Sequence, residues 1–256
     1  MKKLLVRILI AFLVLLIVGF LAVGLFLDSA VKKGVETVGP MLAKVEVKLD
    51  SVSLSLLSGS GKIKGLFIGN PEGFKTPSAI QVGTASLALQ PSSILGDKVV
   101  IKSVLVQAPE ITFETDLKAN NLSKILSNVQ AATGGAETSS KTPAQAKANR
   151  KLQVDDFLIS GGKIHVSLTT LGGKSTTVAL PEVHLTDLGK GPDGITAAEL
   201  TSRVIQAIEK EAVQASSGVV SDLAKEATGL TKDLNKTATG ATDKLSQGIG
   251  GLFKKK

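Results

Sequence analysis

The chain has no cysteine, no tryptophan and no tyrosine, and only two histidines. Without Cys there are neither disulfides nor thiolate chemistry, which suits a reducing cytosol or an envelope compartment where a protein does without them. Two His without Cys do not make a structural zinc site, so no metal is expected. Phe supplies all the aromatic content, whereas platforms for single-stranded nucleic acid need rings interleaved with basic residues. The net charge of +8 therefore gives little support to a nucleic-acid partner; much of it sits in Lys2, Lys3 and Arg7 and in Lys254, Lys255 and Lys256. Basic clusters beside apolar segments suit anionic lipid headgroups better.

Catalytic constellations are lacking as well. No Gly-x-Ser-x-Gly elbow occurs. Gly172-Gly173-Lys174-Ser175 imitates the end of a phosphate-binding loop, but Leu168 stands where the loop needs its first glycine. A hairpin turn explains it better. Asp155 and Asp156 are adjacent, so on a strand their carboxylates point to opposite faces. His165 and His184 have apolar neighbours on both sides, which turns each imidazole away from a core those neighbours face. The expectation is a protein without cofactor that is not an enzyme.

What is present begins with an uncharged run from Ile8 to Leu27. Twenty helical residues span about 30 Å, the thickness of a bilayer's hydrocarbon core. The run reads as a transmembrane anchor within residues 1–30. A cleavable signal peptide with Ala22-Val23-Gly24 as its cleavage site is the rival, although its core is long for that role. Lys and Arg counts flanking the run are nearly balanced; the compact basic start places the preceding residues inside and the body outside the cytoplasm. The expected location is the inner (cytoplasmic) membrane, single-pass, with the body on the periplasmic or extracytoplasmic side.

After a polar connector, Asp28 to Pro40, the period changes. Strands are predicted at Ser51–Leu56, Lys62–Ile68, Ile80–Leu89, Lys98–Ala108 and Ile111–Thr115, and again at Leu152–Ser160, Lys163–Leu168, Thr176–Leu180 and Val183–Leu188. The span Lys98–Ala108 is apolar at both phases in its middle, which predicts cover on both faces. Asn121 to Val129 reads as a short helix. This divides the body into a first β unit (31–130), a flexible linker (131–150), a second β unit (151–195) and a helical tail (196–256). Ile101, Val104, Val106, Ile111 and Phe113 recur 53 residues later as Val154, Phe157, Ile159, Ile164 and Val166. Ala108-Pro109-Glu110 and Gly161-Gly162-Lys163, at matching places, read as tight reversals. The pattern suggests a sheet grown by adding similar hairpins.

The tail begins with a helix over Thr196–Ala227. Ala227-Thr228-Gly229-Leu230-Thr231-Lys232-Asp233-Leu234 then recurs eleven residues later as Ala238-Thr239-Gly240-Ala241-Thr242-Asp243-Lys244-Leu245. Eleven residues make three turns, so Leu230, Leu234, Ala241, Leu245, Ile249 and Leu252 share one helical stripe. Thr and Gly are poor helix formers, which predicts partial disorder in water and folding against lipid or a partner. Leu245, Ile249, Leu252 and Phe253 with Lys254, Lys255 and Lys256 form the expected membrane-surface segment; packing on the chain's own sheet is the plain alternative.

The region from about Val45 to Leu188 resembles the AsmA-like family of bacterial envelope proteins. The resemblance is carried by the apolar run, Leu66-Phe67-Ile68-Gly69-Asn70-Pro71-Glu72-Gly73-Phe74, Leu87-Ala88-Leu89, Ile94-Leu95-Gly96, the stretch Val99–Thr115, Asn120-Asn121-Leu122 and Gly161-Gly162-Lys163-Ile164. It covers a little over half the chain through loose patterns. It implies a mainly β fold: a curved antiparallel sheet of repeated hairpins on a membrane anchor, with an apolar groove that carries lipid acyl chains. The residues assigned to that groove are Leu54, Leu56, Leu87, Leu89, Val104, Val106, Ile111, Phe113, Ile164 and Val166. With two units, the sheet is too small to bridge an envelope alone. The expected partners are membrane lipids and, through the tail, other envelope proteins. Two other readings stay open. One is an anchored scaffold with a closed β core. The other is stress protection, since Gly69-Asn70-Pro71 resembles the Asn-Pro motif of water-stress β-sandwich domains and the tail resembles desiccation-protective helices.

Overall fold

The structure, a computed structural model, describes residues 27–55, 57–94, 96–134, 151–169 and 175–252, the side chains of 133–134 and 226–252 excepted. The expected anchor precedes these residues, and most of the expected linker lies between them. No described helix is long and apolar enough to cross a membrane. Strands β1 (Val47–Ser55), β2 (Ser60–Gly69), β3 (Ser78–Leu89), β4 (Lys98–Gln107), β5 (Glu110–Thr115), β6 (Lys151–Ser160), β7 (Lys163–Leu168), β8 (Ser175–Ala179) and β9 (Val183–Leu188) form one mixed sheet that does not close. Helices α1 (residues 27–43), α2 (Asn121–Gly134) and α3 (Ala197–Leu252) pack on it.

Three pairs of strands are each one track broken in the middle. β3 faces β4 and β5 in a single register: Ile80 opposes Ile111, Gln81 opposes Glu110, Thr84 opposes Gln107 and Ala85 opposes Val106. β6 and β7 run parallel to β4 and β5, and the paired residues are 53 positions apart throughout, from Lys98 with Lys151 to Thr115 with Leu168. β8 and β9 likewise continue one antiparallel register against β7 and β6, with Val178 opposite Ile164 and Val183 opposite Ile159. The sequence repeat thus corresponds to two tracks lying side by side in register. The expected hairpins are corrected accordingly. Ala108-Pro109 and Gly161-Gly162 reverse nothing, because the chain continues in the same direction through both. The sheet is mixed because β6 and β7 pair in parallel with β4 and β5 while the other neighbours are antiparallel.

The breaks fall on one transverse line. The registers bring Asp50, Gly65, Gly83, Ala108, Gly161 and Pro181 into a single row across all six tracks. Backbone φ is positive at Gly65 (63°), Ala108 (48°) and Gly161 (66°). The tracks stay joined there: Ala108 N–H donates to Ser160 O at 2.8 Å and Lys163 N–H to Pro109 O at 2.9 Å. Across the row the inward-facing positions change parity. They pass from Val47 and Leu49 to Val52, from Ile80 and Val82 to Ala85, and from Val104 and Val106 to Ile111 and Phe113. One extra residue in one strand would turn its remaining side chains to the wrong face. An extra residue in every strand keeps the register and bends the sheet, as bulges do. The same shift explains the run Lys98–Ala108. Its two apolar phases arise from irregularities at Lys102 and Ala108, and Leu105 on the outer face is partly buried.

The polar connector expected at Asp28–Pro40 is helical. Val31, Val35, Val38 and Leu42 recur at helical spacing, and Val35 and Leu42 pack on the core. The polar face of α1 serves the outer edge of β1: Leu54 N–H donates to Asp28 Oδ1 (2.8 Å), Leu49 N–H to Glu36 Oε1 (3.1 Å), and Lys32 Nζ to the Leu49 carbonyl. The edge is thereby covered, which removes a template for strand addition. α3 opens on a capping box. Thr196 Oγ1 accepts from Glu199 N–H (3.1 Å), and Glu199 Oε2 accepts from Thr196 N–H (2.8 Å), which holds the Glu199 carboxyl below its usual range. The helix then continues unbroken for 56 residues through the repeats.

The row of breaks makes a graded prediction for glycine-to-alanine changes. A Cβ on Gly65 would stand 1.9 Å from Asp50 Oδ2 at φ 63°, one on Gly161 would meet nothing within 4 Å at φ 66°, and one on Gly83 would meet nothing at an ordinary φ. Gly65→Ala should cost upwards of about 2 kcal/mol, Gly161→Ala about 1, and Gly83→Ala close to nothing, measured by urea unfolding. Asp50→Ala should recover part of the Gly65→Ala loss.

Candidate functional site

The inner face of the sheet encloses two different environments. Under α2 and α3 the β5–β7 side is sealed: Phe113, Ile164, Val166, Leu122, Ile125 and Val129 are buried, with Ile164, Val166 and Leu122 at zero exposure. Beside it lies a chamber of about 320 Å³. Its floor is the sheet at the row of breaks, where Val82, Val106, Pro109 and Ile159 meet, continued by Val47, Leu66, Ile68, Ile80, Ile111 and Phe157. Its walls are α1, through Val35, Gly39, Leu42 and Ala43, and the first three turns of α3, through Leu200, Val204, Ile205 and Ile208, with Ile125 of α2 beyond them. Val35, Leu42, Leu200 and Val204 are only half-buried, so the chamber is open between α1 and α3. Thr201 is the one lining residue with a polar side chain, and its hydroxyl donates to Ala197 O (2.8 Å) within its own helix.

The bend forms this space. Helices on a flat sheet pack against it with few voids larger than a water molecule. Here the floor folds at Val106-Gln107-Ala108-Pro109, and α1 is drawn onto β1 at Gly39, where a Cβ would lie 2.9 Å from Val47. The lining suits an apolar occupant, because its one polar side chain, Thr201, already has its hydroxyl committed to Ala197 O.

Of the ten residues assigned to an apolar groove, Val106 and Ile111 line the chamber. Phe113, Ile164, Val166 and Val104 are buried in the core beside it; Leu54, Leu87 and Leu89 are half-buried on the upper half of the sheet. Leu56 lies outside the described residues. The α1 and α3 walls were not legible as a site, because only the folded chain sets Val35 and Leu200 around one space. Of the tail segment, Leu245, Ile249 and Leu252 lie on the continuous helix α3, while Phe253 and Lys254–Lys256 lie outside the described residues.

A second constellation is polar and buried. Glu114, at zero exposure, accepts from Lys75 N–H (2.8 Å), Thr76 N–H (2.9 Å), Thr76 Oγ1 (2.6 Å) and Thr169 Oγ1 (3.2 Å). Asn121, at the start of α2, donates from Nδ2 to Asn70 Oδ1 (2.7 Å) and accepts at Oδ1 from Glu114 N–H (3.0 Å). The 70–76 turn is thus fastened to the Glu114 carboxylate, and the Asn120-Asn121-Leu122 helix start to the Glu114 backbone N–H and to Asn70. Burial pushes the Glu114 carboxyl up, but the Thr76 hydroxyl, the two N–H groups and Thr169 together outweigh it and hold it below its usual range. With its carboxylate oxygens committed to these donors, Glu114 acts as a clasp. His165 Nδ1 lies 3.0 Å from Thr177 Oγ1 and His184 Nε2 lies 2.6 Å from Asp156 Oδ1, both on the outer face, away from the core as expected. Among the described residues no three His, Cys, Asp or Glu side chains gather as a metal site.

Glu114→Gln should lower stability by about 2–3 kcal/mol at pH 7, since an amide cannot accept at both ends. A depressed folded pKa makes the carboxylate's contribution complete above its unfolded value of 4.5 and lost as pH falls through the folded pKa. The gap between parent and variant, read from urea midpoints, should therefore hold from neutrality to about pH 5 and close in stronger acid.

Comparison with family models, with curated proteins and with solved structures finds no match for this chain.

Proposed function

We propose that this protein is a membrane-anchored, non-catalytic cell-envelope protein that binds an acyl chain of a membrane lipid in the chamber between α1, α3 and the sheet. The observation that carries the reading is the chamber itself, about 320 Å³ lined by apolar side chains and open on one side. A 150 Å³ apolar cavity stays dry and accepts benzene, so by proportion this one takes a chain of about twelve carbons. A single tail fits, and a lipid's headgroup and any second tail remain outside. The uncharged run Ile8–Leu27 ends one residue before Asp28, which puts the source of such chains beside α1. In this reading the run is the single-pass anchor in the inner membrane, and the body lies on the extracytoplasmic side. The curved sheet acts as a lipid-holding surface, to which Val106 and Ile111 belong. The AsmA-like resemblance is consistent with this use.

The scaffold reading draws on a different observation, the sealed core around Phe113, Ile164 and Val166, which needs no ligand. The two readings separate on the lipid content of the purified protein.

The full chain, purified in a detergent too bulky to enter the chamber, should release about one lipid per protein on denaturing mass spectrometry. Val204→Trp, which fills the mouth, should lose that lipid while unfolding at nearly the parent's midpoint. A well-folded parent that carries no lipid sinks this function and leaves the scaffold.

A further inference from the structure

The chamber's lining is apolar, so recognition of one lipid over another falls to the residues at its mouth. α3 starts beside the head of β6, where Ile195 exchanges backbone hydrogen bonds with Leu152, and then descends past the chamber. At about 3.6 residues per turn, the order around it runs Glu209, Ile205, Ile208, Val204, Leu200, Arg203. Glu209 meets Ser123 of α2, and the next four line the chamber. Arg203 follows them, on the edge turned away from α2. That edge borders the opening, where Leu200 and Val204 are half-buried and Arg203 is exposed.

The positive charge of Arg203 is uncommitted. No hydrogen bond or ion pair holds it among the described residues. Glu199, one turn before it, feels its charge, but that carboxylate is occupied by the N–H and hydroxyl of Thr196. Glu211, about 12 Å further down the helix, lies beside Lys210 at 3.7 Å. Across the mouth, Asp28, Lys32 and Glu36 of α1 are bonded to the edge of β1, and Lys33 falls on the side of α1 opposite Val35. The α1 residues at the opening, Val35 and Leu42, are apolar. Arg203 is also the only arginine among the described residues, where every other basic side chain of that length is lysine. A guanidinium offers two parallel N–H groups that match the paired oxygens of a carboxylate or phosphate, and an ammonium does not.

We propose that Arg203 receives the negative group of the bound lipid, so that the chamber selects an acyl chain with an anionic head: the carboxylate of a free fatty acid or the phosphate of a phospholipid. The inference rests on the acyl-chain reading above and adds the head to it. The chain enters between α1 and α3 and its charge stops at the mouth, because burying an ion in a lining without a free polar partner is too costly. Arg203, one residue before the lining Val204, meets it there.

Three probes with chains of equal length separate head from tail: laurate, dodecyl phosphate and 1-dodecanol. Each is added in excess, at the same concentration, to the full chain in a detergent too bulky to enter the chamber, and bound probe is counted by native mass spectrometry. Parent and variant share the same micelles, so partition into detergent cancels between them. Arg203→Gln should lower retention of the anionic probes about fivefold and leave dodecanol unchanged, which also shows that the variant chamber is intact. Arg203→Glu should lower the anions further. A larger drop for laurate assigns a free fatty acid as the source, and a larger drop for dodecyl phosphate a phospholipid head. Anion retention that neither variant changes overturns the role of Arg203 while the chamber reading stands. A parent that holds dodecanol and neither anion overturns it as well. A well-folded parent that retains none of the three removes the chamber reading and this inference together.

Discussion

An extra residue in the same row of every strand track is the constraint on which the rest of this protein depends. A lone bulge would turn half of one strand's apolar side chains outward. Because the change occurs at Asp50, Gly65, Gly83, Ala108, Gly161 and Pro181 together, the ladder survives and the inner face stays apolar above and below. What alters is the direction of the sheet. Gly65 and Gly161 supply the backbone freedom on two tracks, Ala108 accepts the strained conformation ahead of Pro109, and Asp50 fills the space that the missing Gly65 side chain leaves.

The bend divides the interior. Helices α2 and α3 close completely over the lower part, and the Glu114 clasp ties the Asn70 turn, the head of α2 and the end of β5 into one rigid corner. At the fold line itself α1 and α3 stand over a floor they do not fill. Rigidity on one side and unfilled volume on the other are complementary, since a chamber persists only if its walls do not collapse into it. The carboxylate is costly to bury and is repaid only by a full set of donors, which makes that corner a unique arrangement more than a source of net stability.

The strand pattern was legible to within a few residues, because period-two alternation and turn clusters report the local backbone directly. β7 and β9 matched their expected bounds, and β4 and β5 differed by a residue. The 53-residue repeat was visible, but its meaning was not. Matching apolar positions in two segments are equally compatible with two hairpins and with two neighbouring parallel tracks, and only long-range pairing separates them. α1 was missed because its Gly and Val residues are weak helix formers; its helicity is sustained by packing against β1, a tertiary gain that outweighs propensity.

By itself the sequence determined the mainly β body, the absence of thiols, the uncharged run, the start of the last helix at Thr196 and the eleven-residue stripe. Each of these is a property of residues close together along the chain. Only the tertiary structure decided the mixed order of the sheet, the alignment of six separate irregularities into one bend, the chamber above it, and the sense in which α3 leaves the core. These depend on which distant segments lie side by side, and a periodic pattern carries the face of a strand without carrying the identity of its neighbour.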